Sequence, residues 1–217
     1  MDADRSGYLL GIDIGTSNVK VVLVKRSDLQ VVPEPVSQPL GKLESVPTPN
    51  AAERSVRQIF QALESCMDRL EKKVSLKEVK GIGVCGQMHG CVLWSSTGEA
   101  LFSCTGTEGR LQHSDETTSN LFTCEDGRCS SEFLDNLPRV PNLSHPPVRA
   151  EYGCAILAWL WREERETILR YDRAGCIMDM VVCALCSGGS GAVMMSSQNA
   201  ASWGYFDMST SDWHREM

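Results

Sequence analysis

Long apolar runs are missing from this 217-residue chain: the stretch Ala155 to Trp161 has seven residues, far short of the roughly 18 a membrane-spanning helix needs, so no membrane partner is expected. A basic balance is missing too. With a formal charge of -7 and a pI near 5.2, the chain lacks the basic face that would neutralise nucleic-acid phosphates, and any anion must be held locally. The N-terminus, Met1-Asp2-Ala3-Asp4-Arg5, has neither the basic head nor the apolar stretch of a secretion signal, so a cytosolic protein is expected. Ten cysteines are present, but they are scattered, and without that signal free thiols are the expectation. Cys183 and Cys186 form a C-x-x-C inside an apolar stretch that reads as a buried helix. No second pair lies at zinc-finger spacing, so packing is expected there. The glycine cluster Ser187-Gly188-Gly189-Ser190-Gly191 lacks a P-loop lysine and follows a helix, where a hydrolase nucleophile elbow needs a strand. It reads as a helix exit. An apolar fraction of 42% with 23% charged residues is ordinary for a globular chain able to bury a core.

What is present starts at Gly11-Ile12-Asp13-Ile14-Gly15-Thr16-Ser17-Asn18-Val19-Lys20. Two apolar strands, Tyr8 to Asp13 and Val19 to Val24, flank a turn carrying a carboxylate, a glycine, hydroxyls and a lysine. A lone carboxylate at the edge of a buried sheet costs several kcal/mol, so Asp13 is expected to need a partner, a cation being the obvious one. Gly15 is able to take a positive φ and turn backbone N–H groups toward an oxyanion, with Thr16, Ser17 and Lys20 adding hydroxyl donors and a point charge. The plainer alternative is a polar hairpin turn in which Asp13 bonds its own backbone.

Further along, Leu29 to Val36 reads as an edge strand broken by Pro33 and Pro35. Asn50, with Glu53 three residues on, is placed to cap a helix whose apolar face is Val56, Ile59, Phe60, Leu63, Met67, Leu70 and Val74. Strands follow at Val79–Cys85 and Cys91–Trp94, with a hairpin turn at Ser96-Thr97-Gly98-Glu99. Residues 103 to 122 form a polar, aperiodic insert. A short helix capped by Ser130 or Ser131, a long helix from Gly153 to about Arg170 and a third over Ile177–Cys186 complete the reading. The order predicts an α/β fold, a mixed sheet covered by helices.

Three further segments join the turn. Gly86-Gln87-Met88-His89-Gly90 ends a strand in polar groups, Asp126-Gly127-Arg128 couples a carboxylate to a guanidinium, and Gln198-Asn199-Ala200-Ala201-Ser202 precedes Trp203 and Tyr205. Together they resemble the N-terminal domain of the FGGY carbohydrate kinases, most closely the sedoheptulokinase branch, over roughly Tyr8 to Trp94 and Cys124 to Trp213.

That resemblance implies an actin-like, ribonuclease-H-like domain, residues 1–217, that works with a second domain not contained in this sequence. ATP and sugar would meet between them, and ATP and magnesium are the implied cofactors. Asp13 would approach magnesium, directly or through water, while Gly15, Thr16, Ser17 and Lys20 face the nucleotide phosphates. Gln87, Met88 and His89 would line the sugar pocket. Asp126 and Arg128 would either touch the sugar or form an internal ion pair that shapes their loop. The implied reaction moves the γ-phosphoryl group of ATP to a sugar hydroxyl, giving sedoheptulose 7-phosphate from sedoheptulose, with the base that takes the hydroxyl proton on the second domain. Two positions depart from the family pattern: Cys124 stands where a tryptophan is usual, and Ser197 where an aspartate is. The competing expectation is a sugar-binding or interaction module without catalysis.

Overall fold

The computed structural model describes residues 6–32, 34–96, 117–139, 147–187 and 191–215. Its first elements, β1 (Tyr8–Ile14) and β2 (Asn18–Lys25), form an antiparallel hairpin with Asp13 opposite Lys20. Alternation explains the pairing: Leu10, Ile12, Ile14, Val19, Val21 and Leu23 are all buried on one face, which sets the register strongly. The intervening Leu9, Gly11 and Asp13 turn to the other face and stay half-buried or exposed. β3 (Val36–Pro39) flanks β2, followed by the short β4 (Glu53–Arg54). The amphipathic α1 (Val56–Glu71) lays Ile59, Phe60, Leu63, Cys66 and Leu70 into the same core. β5 (Val79–Gly86) then runs parallel to β1, so the sheet order is β3-β2-β1-β5. This is the mixed α/β sheet that the sequence predicts.

The second half of the chain adds β6 (Val92–Trp94), β7 (Leu121–Phe122), α2 (Ser131–Asp135), α3 (Gly153–Glu163), α4 (Arg165–Ile168), β8 (Arg173–Gly175), α5 (Ile177–Ser187), α6 (Ser197–Trp203), β9 (Phe206–Asp207) and β10 (Asp212–Trp213). β4 pairs with β7, β6 with β8 and β9 with β10, all antiparallel. Met178 of α5 packs so closely on the end of β5 that a Cβ on Gly86 would lie 2.9 Å from its sulfur.

Several boundaries differ from expectation, each for a local reason. Asn50 does not cap α1; Ser55 does, its hydroxyl accepting from Gln58 N. Asn50 instead takes a left-handed φ of 57° and its carbonyl accepts from Gly127 N at 2.9 Å, while Glu53 and Arg54 are drawn into pairing with β7. The edge strand sits later than predicted, at β3, because Leu29 turns the chain with a φ of 58°. The long second helix breaks at Glu164 (φ -133°, ψ 51°). From Arg162 to Thr167 no apolar residue holds that turn on the core. β8 carries no strand signature of its own and is set by β6 and by Asp172, which accepts from Ser96 N at 2.7 Å. Ser130 caps α2 as expected, accepting from Phe133 N at 3.2 Å. Cys183 is buried and Cys186 exposed, and no metal-holding group of His, Cys, Asp or Glu occurs among the described residues. The predicted turn at 97–99, the glycines at 188–189 and most of the 103–122 insert lie outside the described residues.

α3 and α6 touch at one crowded point, where a Cβ on Gly153 would lie 2.1 Å from the Trp203 ring. The ring is not free to move, since its Nε1 donates to the Gly90 carbonyl at 2.9 Å. Gly153→Ala is therefore expected to lower stability by about 1–3 kcal/mol in denaturant unfolding. In a Trp203→Ala background that extra cost should largely vanish; an unchanged cost would contradict the contact.

Candidate functional site

Parallel pairing of β1 with β5 brings two chemistries to one edge of the sheet. The register ends at Ile14 opposite Gly86, and Gln87 N continues it by donating to the Ile14 carbonyl at 2.8 Å. The Gly15–Ser17 turn and the Gln87–His89 strand end are thereby neighbours.

The turn itself is tighter than the sequence reading supposes. Gly15 N donates to the Asn18 carbonyl at 3.0 Å, so that N–H is spent inside the turn and is not offered to an oxyanion. Gly15 is also absent from the positive-φ glycines among the described residues. Space is what it supplies: a Cβ there would lie 3.1 Å from the Asn18 oxygen. Side-chain donors at the turn come from half-buried Thr16, exposed Ser17 and exposed Lys20.

Asp13 is not buried at the core. It stands half-exposed on the open face, beside Cys85 in the parallel register and opposite Lys20 across the hairpin. Local desolvation, then the nearby Asp13 charge, push the Cys85 thiol up, so the thiol keeps its proton beside the carboxylate. No ion pair to Asp13 occurs among the described residues, and its half-exposed carboxylate is open to a cation.

At the strand end the three polar-pocket residues take different postures. Gln87 is only 7% exposed, yet its side-chain oxygen and nitrogen both lack partners among the described residues. Such a buried amide needs water or a ligand to satisfy it. Met88 is 63% exposed, so it is not the core filler its residue type suggests. His89 adopts a left-handed φ of 62°, stacks on Tyr152 at 4.8 Å and lies with Nδ1 2.9 Å from the Ser202 carbonyl. A carbonyl only accepts, so Nδ1 carries the proton, and in the neutral ring Nε2 is left as an acceptor.

α6 holds this strand end in place. Ser202 binds His89, Trp203 binds Gly90, and Asn199 Nδ2 donates to Asp179 Oδ1 at 3.2 Å. Asp179 in turn accepts from Cys176 N at 2.8 Å at the start of α5; burial raises its pKa despite these bonds. The Gln198–Ser202 motif is thus a brace for the strand end.

Asp126 and Arg128 are spent on each other. Arg128 Nε and Nη2 bind the two Asp126 oxygens at 2.8 Å each, and Nη2 also reaches Glu53 Oε1 at 2.5 Å. Asp126 Oδ2 accepts from Ala52 N at 2.9 Å, and the guanidinium lies 4.4 Å from the Phe122 ring and 5.1 Å from that of Trp159. Burial alone would lower the Arg128 pKa, but the bonds to Asp126 and Glu53 outweigh it and hold it above its usual value. The side chains of Arg128 and Asp126 are 1% and 0% exposed, so this arrangement offers the internal ion pair and no sugar contact. Glu53, the third member, escaped the sequence reading because it was assigned to a helix cap. Tyr152 and Ser202 escaped it because their partner is far away in sequence.

The N-terminal-domain model of the FGGY family of carbohydrate kinases matches residues 8–217. The chain is similar to the sedoheptulokinases of Mus musculus and Homo sapiens, 40% identical over 213 and 217 residues, covering 94% and 95% of this chain but 43% and 44% of those relatives. It spans less than half their length. Among solved structures, the xylulose kinase from Rhodospirillum rubrum superposes with a TM-score of 0.71 at 21% identity, over 96% of this chain and 40% of that one, a likeness of fold.

Removing Arg128 would strand two buried carboxylates. Arg128→Met is expected to cost about 3–5 kcal/mol in urea unfolding, and a loss under about 1 kcal/mol, the scale of an exposed pair, would contradict the buried cluster.

Proposed function

Because this chain belongs to the FGGY family of carbohydrate kinases, we propose that it is the sugar-binding half of an ATP-dependent ketose kinase that converts sedoheptulose to its 7-phosphate. In this reading residues 1–217 are the N-terminal domain, and a second domain supplies the base for the hydroxyl proton. One observation supports it: the Gln87 N to Ile14 carbonyl hydrogen bond brings the buried Gln87 amide, unpartnered among the described residues, beside the Asp13 turn.

The residues divide the work. Gln87 both donates to and accepts from sugar hydroxyls, His89 accepts at Nε2, and exposed Met88 covers apolar carbon. Thr16 and Ser17 donate hydroxyl hydrogens to phosphate oxygens, and Lys20, across the hairpin from Asp13, places a positive charge beside them. Asp13 is the residue that would hold magnesium. The donor set fits that ion, since Mg²⁺ is typically held by one or two carboxylates with waters and substrate phosphates, and the Asp13 carboxylate is half-exposed. When bound, magnesium supplies neutralisation of the phosphate charge during transfer. Aligning the hydroxyl with the phosphoryl group is then the protein's main contribution.

A non-catalytic sugar-binding module is the second reading, favoured by Cys124, a half-buried cysteine whose backbone N would lie 3.9 Å from a Cβ on Gly90, at the position of the family's usual tryptophan.

The test joins this chain to the second half of the mouse sedoheptulokinase and measures ketose-dependent ADP release. Asp13→Ala is expected to lower kcat about 10²-fold or more. His89→Ala should raise KM for the ketose and leave KM for ATP unchanged. Absence of turnover with retained sedoheptulose binding supports the module; absence of both contradicts either reading.

A further inference from the structure

A cavity of about 100 Å³ lies between the Thr16–Ser17 turn and the Thr123–Glu125 segment, with Leu43 and Arg54 completing its lining. Arg54 is the feature that calls for explanation. It is a long cation on β4, only 6% exposed, drawn inward by the pairing of β4 with β7. Its Nη1 donates to the Gly41 carbonyl at 2.5 Å, but its Nε is buried with no partner among the described residues. Burial of an idle donor on a charged group is costly unless something accepts from that group.

Glu125 lines the same cavity and supplies the complement. Glu125 stands exposed at the cavity, bonded through its backbone N–H to Thr123 Oγ1 at 3.3 Å, and its carboxylate makes no hydrogen bond among the described residues. Thr123 Oγ1 is committed already, donating to the Ala52 carbonyl at 2.9 Å. Thr16 and Ser17 add hydroxyls that can donate or accept.

Charge selects the ligand class. Arg54 and Glu125 cancel, so an anion attracted by the guanidinium is repelled by the carboxylate. A neutral group that accepts from one wall and donates to the other satisfies both, and every sugar hydroxyl does so. The cavity has room for about three waters at their liquid volume, or for the hydroxyl-bearing carbons that displace them. Between its lining residues Thr123 and Glu125 stands Cys124, whose N would lie 3.9 Å from a Cβ on Gly90 at the strand end.

We propose that this cavity is a subsite for adjacent hydroxyls of the sugar, with Arg54 donating and Glu125 accepting, an inference that rests on the sugar-binding role proposed above. Isothermal titration of the 217-residue chain with sedoheptulose, and separately with inorganic phosphate, tests it in the native protein, Arg54→Ala, Glu125→Ala and the double variant. Each single substitution is expected to weaken sedoheptulose binding about tenfold or more. The double variant should lose less than the product of the two, because both residues hold one ligand, and any phosphate uptake at the Thr16–Ser17 turn should be indifferent to Arg54→Ala. Unchanged sedoheptulose affinity in both single variants overturns the subsite, as does phosphate uptake that Arg54→Ala abolishes while sedoheptulose still binds. Should Arg54→Ala unfold for want of the Gly41 contact, Glu125→Ala decides alone, since its exposed side chain ties no elements together. A native chain that takes up no sedoheptulose overturns the sugar-binding role itself, which keeps that failure distinct from failure of the subsite.

Discussion

The hydrogen bond from Gln87 N to the Ile14 carbonyl is the constraint on which the site depends. It extends the β1–β5 pairing by one step, and that step decides which side chains meet. A carboxylate turn and a strand end separated by some seventy residues of sequence become adjacent because a parallel pair puts both C-terminal ends at the same edge. The core enforces this arrangement. Slipping the register by one residue would expose Leu10, Ile12 and Ile14 together, and burial of each such side chain is worth about 1.5–3 kcal/mol.

Strain at the strand end is held by its surroundings. A left-handed histidine costs on the order of 1–3 kcal/mol, and His89 keeps that posture through Ser202, Tyr152 and the neighbouring grip of Trp203 on Gly90. On the other flank, the Glu53–Arg128–Asp126 cluster clamps the loop before α1 to the segment that carries Cys124 and Glu125. Beside the buried ion cluster and the α6 brace, the polar groups of Gln87 and the Nε2 of His89 have no partner among the described residues. Rigid support around unsatisfied groups is the arrangement a binding site requires.

Much of this was legible in the amino-acid order, and the exceptions share a cause. The hairpin, α1 and the returning strand announce themselves by period, since each buries one continuous apolar face. The D-x-G-T turn and the Gln87-Met88-His89 strand end could be named as candidates for the same reason: polar groups interrupt strong apolar patterns there. What stayed hidden was set by distant partners. Glu53 and Arg54 look like the first turn of a helix until β7 claims them, β8 has no pattern without β6, and Asp13 reads as buried until alternation is seen to leave its face open. Arg128 could be matched to Asp126 from their spacing alone, but the choice between ligand contact and internal pairing needed the burial of both.

The central claim is that the Asp13 turn and the Gln87–His89 strand end form one sugar-binding and phosphate-facing surface. Backbone amide shifts of the isotope-labelled chain, recorded by nuclear magnetic resonance as sedoheptulose is added, test it most directly. The account predicts saturable shifts concentrated at Thr16, Ser17 and residues 87–90. Shifts confined to the cleft around Glu164, Thr167 and Tyr171, with the turn and strand end silent, would contradict it.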